Sequence, residues 1–323
     1  MRVAVTGASG FIGGHVGRRL VDEGHQVFSF GRRAAADLDW RRMGEYRSWD
    51  IGVGALKAAP EVDAVVHCAG AVSDWGPREE FERTNVGGTR AVLSSFPAAA
   101  VFVHMSTASV YDSLRRKSMI REDEAVEGSG HLNDYARTKW KAELEVRQTG
   151  RRSVILRPHV VYGPGDTLLL PRVLAARRFG AQLAFGDGRN RLSVTHIDNL
   201  VDAVSLALNW RGATKAFNIS DAEPTTVDEL MRELLRALAL HDRIVYIPRA
   251  LAWPLASALE LGFRATRSRR PPALTRYAVL QMSSEYTLDI TRVRNHLGYR
   301  PSRDFHDGFS ELAAHAMKLG PAP

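Results

Sequence analysis

Among 323 residues there is a single cysteine, Cys68. An internal disulfide framework is excluded, and the chain fits a reducing compartment. Lysine is scarce as well: of 44 basic residues, only 6 are lysine. No stretch of 18 uncharged apolar residues occurs, so a membrane-spanning helix is not expected. The first apolar strand begins at residue 2 and leaves no room for a signal peptide, which makes the cytoplasm the expected location. Internal repeats and low-complexity tracts are lacking. His67, His104, His159 and His196 have no metal-ligand spacing, and no metal is expected. A net charge of +8 raises the question of nucleic acid. The arginines, however, run along the whole chain without an aromatic-interleaved basic motif, zinc spacing or recognition helix. Nucleic acid is therefore not an expected partner.

What is present starts with glycine. Residues 6–13 read Thr6-Gly7-Ala8-Ser9-Gly10-Phe11-Ile12-Gly13, directly after the apolar run Val3-Ala4-Val5 and before an amphipathic stretch reaching Val21. A strand that ends in a glycine turn and opens a helix aims unpaired amides at one point. That point favours an anion, and the missing side chains let a pyrophosphate approach. Glycines at this spacing are common by themselves; their place between strand and helix gives them meaning.

The first half alternates short apolar runs with helical patterns, which predicts an α/β fold with a doubly wound parallel sheet of Rossmann type. Strands are expected at 2–6, 26–30, 45–49, 63–68, 100–106 and 153–157, with helices near 11–24, 51–59, 79–95 and 133–149. Residues 1–165 would form the dinucleotide-binding domain. A helix at 198–209 and a strand at 216–219 would fold back onto it within 197–220. The rest of 166–323 would form a smaller substrate-binding lid. In such sheets ligands bind at the carboxyl ends of the strands, beside the topological switch point.

Tyr135 and Lys139 stand four apart in a helical pattern behind a capping residue, Asn133, so both side chains share one helix face. An ammonium there would stabilise a phenolate and draw a tyrosine toward the working pH range. Alone, the pair reads equally as a tyrosine packed on a lysine stem. The strand Val101-Phe102-Val103-His104-Met105-Ser106 exits into Thr107-Ala108-Ser109-Val110-Tyr111, placing hydroxyls at a carboxyl strand end. Ser106 and Ser109 are expected to satisfy loop backbone.

Taken together, these residues resemble the extended short-chain dehydrogenase/reductase family. The likeness includes the 6–13 turn, His67-Cys68-Ala69-Gly70, Thr84-Asn85-Val86-Gly87-Gly88-Thr89, Ser106-Thr107 and Tyr135-x-x-x-Lys139. It continues through Leu156-Arg157-Pro158, Val161-Tyr162-Gly163-Pro164-Gly165-Asp166 and His196-Ile197-Asp198-Asn199. Trp75-Gly76-Pro77, the run Pro271 to Tyr277, and Leu297-Gly298-Tyr299-Arg300-Pro301 resemble the 3β-hydroxysteroid dehydrogenase branch. The resemblance implies Tyr135 as acid/base, with Lys139 on the nicotinamide ribose and Thr107 on the substrate oxygen. Asn85 would order the neighbouring chain. The cofactor would lie against Gly7, Ser9, Gly10, Phe11, Ile12, Gly13, Asp50, Ile51, Ala69, Gly70, Pro158 and Val160. Relatives pair through the helix carrying the tyrosine and the one before it, which implies a homodimer.

Cofactor choice is read after the second strand. An NAD enzyme usually places an acid near position 31 for the ribose 2′-hydroxyl. Here Gly31 is followed by Arg32 and Arg33, which suit a 2′-phosphate, so NADP is the expected cofactor in preference to NAD.

Residues 250–263 are almost wholly apolar, followed by Arg264, Arg267, Arg269 and Arg270. A lid helix over a greasy pocket, with its arginines in solvent, is the preferred expectation, because Pro254 and Glu260 interrupt the segment. Weak peripheral membrane contact through 250–270 is the other. Either one implies a small hydrophobic substrate, steroid-like or β-keto acyl. A nucleotide-sugar epimerase or dehydratase is a rival activity. Those relatives usually carry a diphosphate-binding arginine four residues before the histidine of the 196–199 motif, where this chain has Leu192, and Ala108 and Ser109 stand where a dehydratase wants a carboxylate. A non-catalytic dinucleotide sensor is the alternative of another class; it would usually have lost Tyr135 or Lys139.

Overall fold

In the computed structural model, the described residues are 1–34, 42–111, 114, 117–125, 130–167, 169–178 and 180–319. Seven strands form one parallel sheet: β1 (Arg2–Thr6), β2 (Gln26–Gly31), β3 (Glu45–Ser48), β4 (Ala64–His67), β5 (Val101–Met105), β6 (Ser153–Pro158) and β7 (Lys215–Ile219). Their spatial order is β7-β6-β5-β4-β1-β2-β3. Chain direction across the sheet therefore reverses between β1 and β4, which opens a crevice at their carboxyl ends. β1, β4, β5 and β6 are apolar at most positions and buried almost throughout, as expected of strands covered on both faces.

Helix α1 (Phe11–Asp22) turns Gly13, Gly14, Val16, Gly17 and Leu20 inward. α2 (Asp134–Gln148) starts at Asn133, whose side chain accepts the Ala136 amide at 2.9 Å. α3 (Ile197–Leu208) lies beside α1, where Arg19 donates to Asp202 at 2.5 Å.

One expected helix is absent and another contains an irregularity. Residues 51–59 form turns, not a helix. The Asp50 carboxylate takes the Gly52 amide at 2.9 Å, Gly54 sits at φ +138°, and Pro60 follows. The expected helix at 79–95 is a helical run with a π turn inside it: Arg78–Phe81, Glu82–Gly87 and Gly88–Ser95. Such wide turns cluster at functional positions, and this one contains Asn85.

Beyond the sheet, Ala181–Phe185 pairs in parallel with Arg243–Ile247, and Lys117–Ile120 pairs with Tyr286–Leu288. Helix α4 (Arg249–Ala265) and helix α5 (Arg276–Ser283) pack through Ala252, Ala256, Leu274 and Val279, with Phe185, Ile247, Trp253 and Leu259 around them. Pro254 and Glu260 do not interrupt α4: the helix runs through the proline, and the carboxylate is buried, accepting the Arg276 amide at 2.7 Å and its Nε at 2.9 Å.

Candidate active site

At the crevice, Gly7 holds φ +75°, and a Cβ there would lie 2.7 Å from the Ala69 nitrogen. A Cβ on Gly13 would lie 2.3 Å from the Gly7 carbonyl oxygen. Only glycine lets β1, α1 and the strand-end loop after β4 close this tightly. Gly10 precedes α1 in extended conformation, no side chain caps the helix, and its first turn has no acid. The first amides of Phe11, Ile12 and Gly13 thus have no intrahelical acceptor, and a pyrophosphate fits that cradle. Farther along, a Cβ on Gly31 would meet Ser9 Oγ at 2.4 Å and Tyr46 Oη at 2.8 Å. A side chain at position 31 would require the Ser9 and Tyr46 hydroxyls to shift. Arg32 and Arg33 are exposed and make no ion pair among the described residues.

The loop after β4 is braced by Asn85. Its Oδ1 accepts the Ala71 amide at 2.7 Å, and its Nδ2 donates to the Ala71 carbonyl at 3.2 Å and Thr138 Oγ1 at 3.0 Å. A Cβ on Gly70 would come within 3.1 Å of Asn85 Oδ1 and 4.0 Å of Lys139 Nζ. Ala69, Gly70, Asn85 and Lys139 are thus neighbours. Asp50 is occupied with Gly52, and Ile51 is buried beneath Gly88. Pro158 closes β6, and Val160 sits at φ +44°, a costly conformation for a β-branched residue and frequent where a site dictates the backbone.

Tyr135 and Lys139 lie on the inner side of α2. The Thr107 side chain lies close enough to the Tyr135 phenol to favour its ionised form. Lys139 is buried, and its ammonium donates to the Met105 carbonyl at 2.5 Å. Burial pushes Lys139 down to about 8. The expected lowering of Tyr135 by Lys139 does not appear: burial and the neighbouring Tyr277 hold the phenol above its ordinary value, and the nearby Thr107 side chain offsets only part of this. Desolvation, followed by Lys139, keeps His67 neutral, down at about 3, while it hydrogen-bonds Thr6 Oγ1 and Thr89 Oγ1. Burial pushes the Cys68 thiol up to about 12, so it is no nucleophile.

Two buried networks were not anticipated from the sequence. Ser106 does not serve loop backbone: its hydroxyl donates to Glu143 Oε1 at 2.6 Å. Glu143, one turn beyond Lys139, takes Arg157 Nε at 2.9 Å and Nη2 at 2.6 Å, and both side chains are fully enclosed. Ser109 likewise leaves the backbone. It accepts from Thr107 at 3.1 Å and meets Tyr277 Oη at 2.8 Å, and Gln281 Nε2 donates to that phenol at 2.7 Å. Thr107, Ser109 and Tyr277 are three hydroxyls sharing two contacts, with the Tyr135 phenol beside Thr107, so one hydroxyl proton of this set is left for a further acceptor. The sequence placed Tyr277 within a family motif, without signalling that it reaches Ser109 across 168 positions.

His196, Asp198 and Glu311 also gather within 4.8 Å, a grouping that their spacing along the chain does not reveal. Arg303 stands 3.4 Å from both carboxylates and already supplies a positive charge there.

The family model described as "NAD dependent epimerase/dehydratase family" matches residues 3–220, two thirds of the chain. The chain belongs to the NAD-dependent epimerase/dehydratase family. Among its curated relatives is the 2-alkyl-3-oxoalkanoate reductase of Stenotrophomonas maltophilia, 32% identical over 97% of this chain and 99% of the relative. The 3β-hydroxysteroid dehydrogenase/Δ5→4-isomerase of Mycobacterium tuberculosis is 28% identical, over 98% and 91%. Among solved structures, the UDP-glucuronic acid 4-epimerase of Bacillus cereus superposes with a TM-score of 0.75 at 21% identity, covering 99% of both chains. That likeness is one of fold, and the Rossmann-type sheet with its lid is common to both. Family membership joins the glycine cradle to a nicotinamide dinucleotide; the side chains around Tyr135 remain this chain's own.

Proposed function

We propose that this protein is an NADP(H)-preferring reductase that converts a ketone on an apolar molecule, a β-keto acyl chain or a steroid-like ring, to a secondary alcohol. The observation that supports it most is the proximity of the Thr107 hydroxyl and the Tyr135 phenol beside buried Lys139, whose ammonium donates to the Met105 carbonyl at the carboxyl end of β5. When bound, the dinucleotide supplies the hydride taken up by the carbonyl carbon. Tyr135 gives the carbonyl oxygen its proton, and the Thr107 hydroxyl, turning from Ser109, donates a hydrogen bond to the same oxygen as charge develops on it. A phenol held above its ordinary pKa stays protonated at neutral pH, which suits reduction better than alcohol oxidation. Lys139, whose ammonium donates to the Met105 carbonyl, would bind the nicotinamide ribose.

Arg32 and Arg33, together with the absence of an acid at Gly31, favour the 2′-phosphate of NADP over the free hydroxyl of NAD. Leu192, at the position of the diphosphate-binding arginine of sugar-modifying relatives, is buried, which disfavours a nucleotide-sugar substrate. Two copies would pair through α2 and the 78–95 helical run, and sedimentation at twice the monomer mass tests that.

The deciding experiment follows oxidation of NADPH and of NADH with a panel of hydrophobic 3-oxo acids and ketones. We expect turnover and a lower KM for NADPH. Tyr135→Phe should bind dinucleotide normally yet lose kcat by about 10²–10⁴-fold. A clear NADH preference sinks the cofactor choice. Unchanged turnover in Tyr135→Phe sinks the acid/base assignment.

A further inference from the structure

Helix α4 presents a surface that the chemistry above does not use. Its outward residues are Leu251, Pro254, Leu255, Ala258, Leu261, Gly262 and Ala265, all exposed and all on one helical face. Leu251 is 67% exposed, Leu255 56% and Leu261 71%. The inward side carries Ala252, Ala256 and Glu260. This inverts the usual arrangement, with leucine outside and alanine and a carboxylate inside. Around the stripe stand Arg249, Arg264, Arg267, Arg269 and Arg270, all exposed. Arg249 and Arg264 lie over Trp253 and Trp75, 5.6 Å from each ring centroid. Arg267, Arg269 and Arg270 form no ion pair among the described residues. Between 249 and 284 the only acid is Glu260, which is already engaged by Arg276.

We propose that α4 and its arginine flank are a peripheral docking surface for an anionic lipid bilayer, with the leucines in the acyl boundary and the guanidiniums among the phosphates. Charge selects this occupant. In a twofold pairing of two copies through this face, the arginine ends would meet one another with no acid on either side. None of the described helices is long and apolar enough to cross a membrane, so the contact is with one leaflet. The surface also adjoins the site. Phe263 of α4 meets Trp75 edge-on at 6.4 Å, and Trp75 Nε1 donates to the Ser268 carbonyl at 3.1 Å. The preceding residue, Asp74, accepts the hydroxyl of Thr275, which caps the helix bearing Tyr277. An apolar substrate leaving the bilayer would thus emerge beside the pocket. The docking surface itself does not depend on which substrate is reduced.

The test sediments the full chain with extruded vesicles of phosphatidylcholine alone, or mixed equally with phosphatidylglycerol, in about 50 mM and about 500 mM salt. We expect pelleting with the anionic vesicles at low salt and little with phosphatidylcholine. Leu251→Asp/Leu255→Asp/Leu261→Asp should lower the partition coefficient about a hundredfold, and Arg269→Ala/Arg270→Ala about tenfold. Thermal melts of both variants should match the parent. Full recovery in the supernatant with anionic vesicles at low salt overturns the proposal. So does pelleting of the triple-Asp chain as complete as the parent's, which would mean that the net charge alone adsorbs. A parent oligomer that the triple substitution dissociates would assign the face to another copy, with the same consequence.

Discussion

Helices α2 and α4 are both unlike an ordinary surface helix, in opposite ways. α2 buries polar groups: Lys139 and Glu143 point into the protein, and each is met by a partner, the Met105 carbonyl and the Arg157 guanidinium. α4 exposes apolar ones, with three leucines more than half open among the described residues. A buried charge is tolerated only where the surroundings are organised around it, so α2 marks a place where the protein has been shaped to hold reactive groups. An exposed apolar stripe lowers its free energy by meeting something outside, which is the ground for the docking proposed at α4.

The sharpest way to break this contrast is to remove the partner of a buried charge. Glu143→Ala strands Arg157 in the core and should cost about 3–5 kcal/mol in urea unfolding. If it costs no more than a surface change, the α2 network is not what holds that helix. Next in size is the effect of pH. Lys139 sits at about 8 instead of its ordinary 10.5. Reduction should decline as pH rises through about 8, and Lys139→Met should lose that limb along with most activity. The linkage has a definite sign. Between about 8 and 10.5 the unfolded chain keeps a proton that the folded one has released. Stability from this group therefore rises with pH across that window, and Lys139→Met should abolish the rise.

A smaller effect concerns the spare hydroxyl proton of the set formed by Tyr135, Thr107, Ser109 and Tyr277. Tyr277→Phe should raise KM about tenfold for substrates with a second acceptor, such as 3-oxo acids, and leave simple ketones nearly unchanged. An equal loss for both classes would make Tyr277 a packing residue. The smallest effect is on α4, where Leu255→Ser should change stability by less than about 0.5 kcal/mol. A large loss there would mean that the stripe is covered within the protein.

Much of the site was legible because its signals are local. The 6–13 turn needs glycine for reasons that act within a few residues, and Tyr135 and Lys139 share a face through helical spacing alone. Asn85 was reached through a family motif, and Thr107 through one at a strand end. The roles of Ser106 and Ser109 were not, since a serine that turns from its own loop to Glu143 or Tyr277 is invisible without the packed partner. The 51–59 helix failed because the glycines and the Asp50 side chain offered the backbone a better local partner than helical hydrogen bonds. In α4, Pro254 and Glu260 looked like interruptions because sequence alone does not reveal which face of a helix is turned inward.

By itself the sequence determined the alternation of strand and helix, the glycine cradle and the tyrosine–lysine spacing, all properties that covalent geometry and nearest neighbours impose. Only the tertiary structure decided that Glu143 neutralises Arg157, that Tyr277 reaches Ser109, and that the leucines of α4 face outward. Those outcomes depend on contacts between residues from 14 to 168 positions apart and on which side of an element the core occupies.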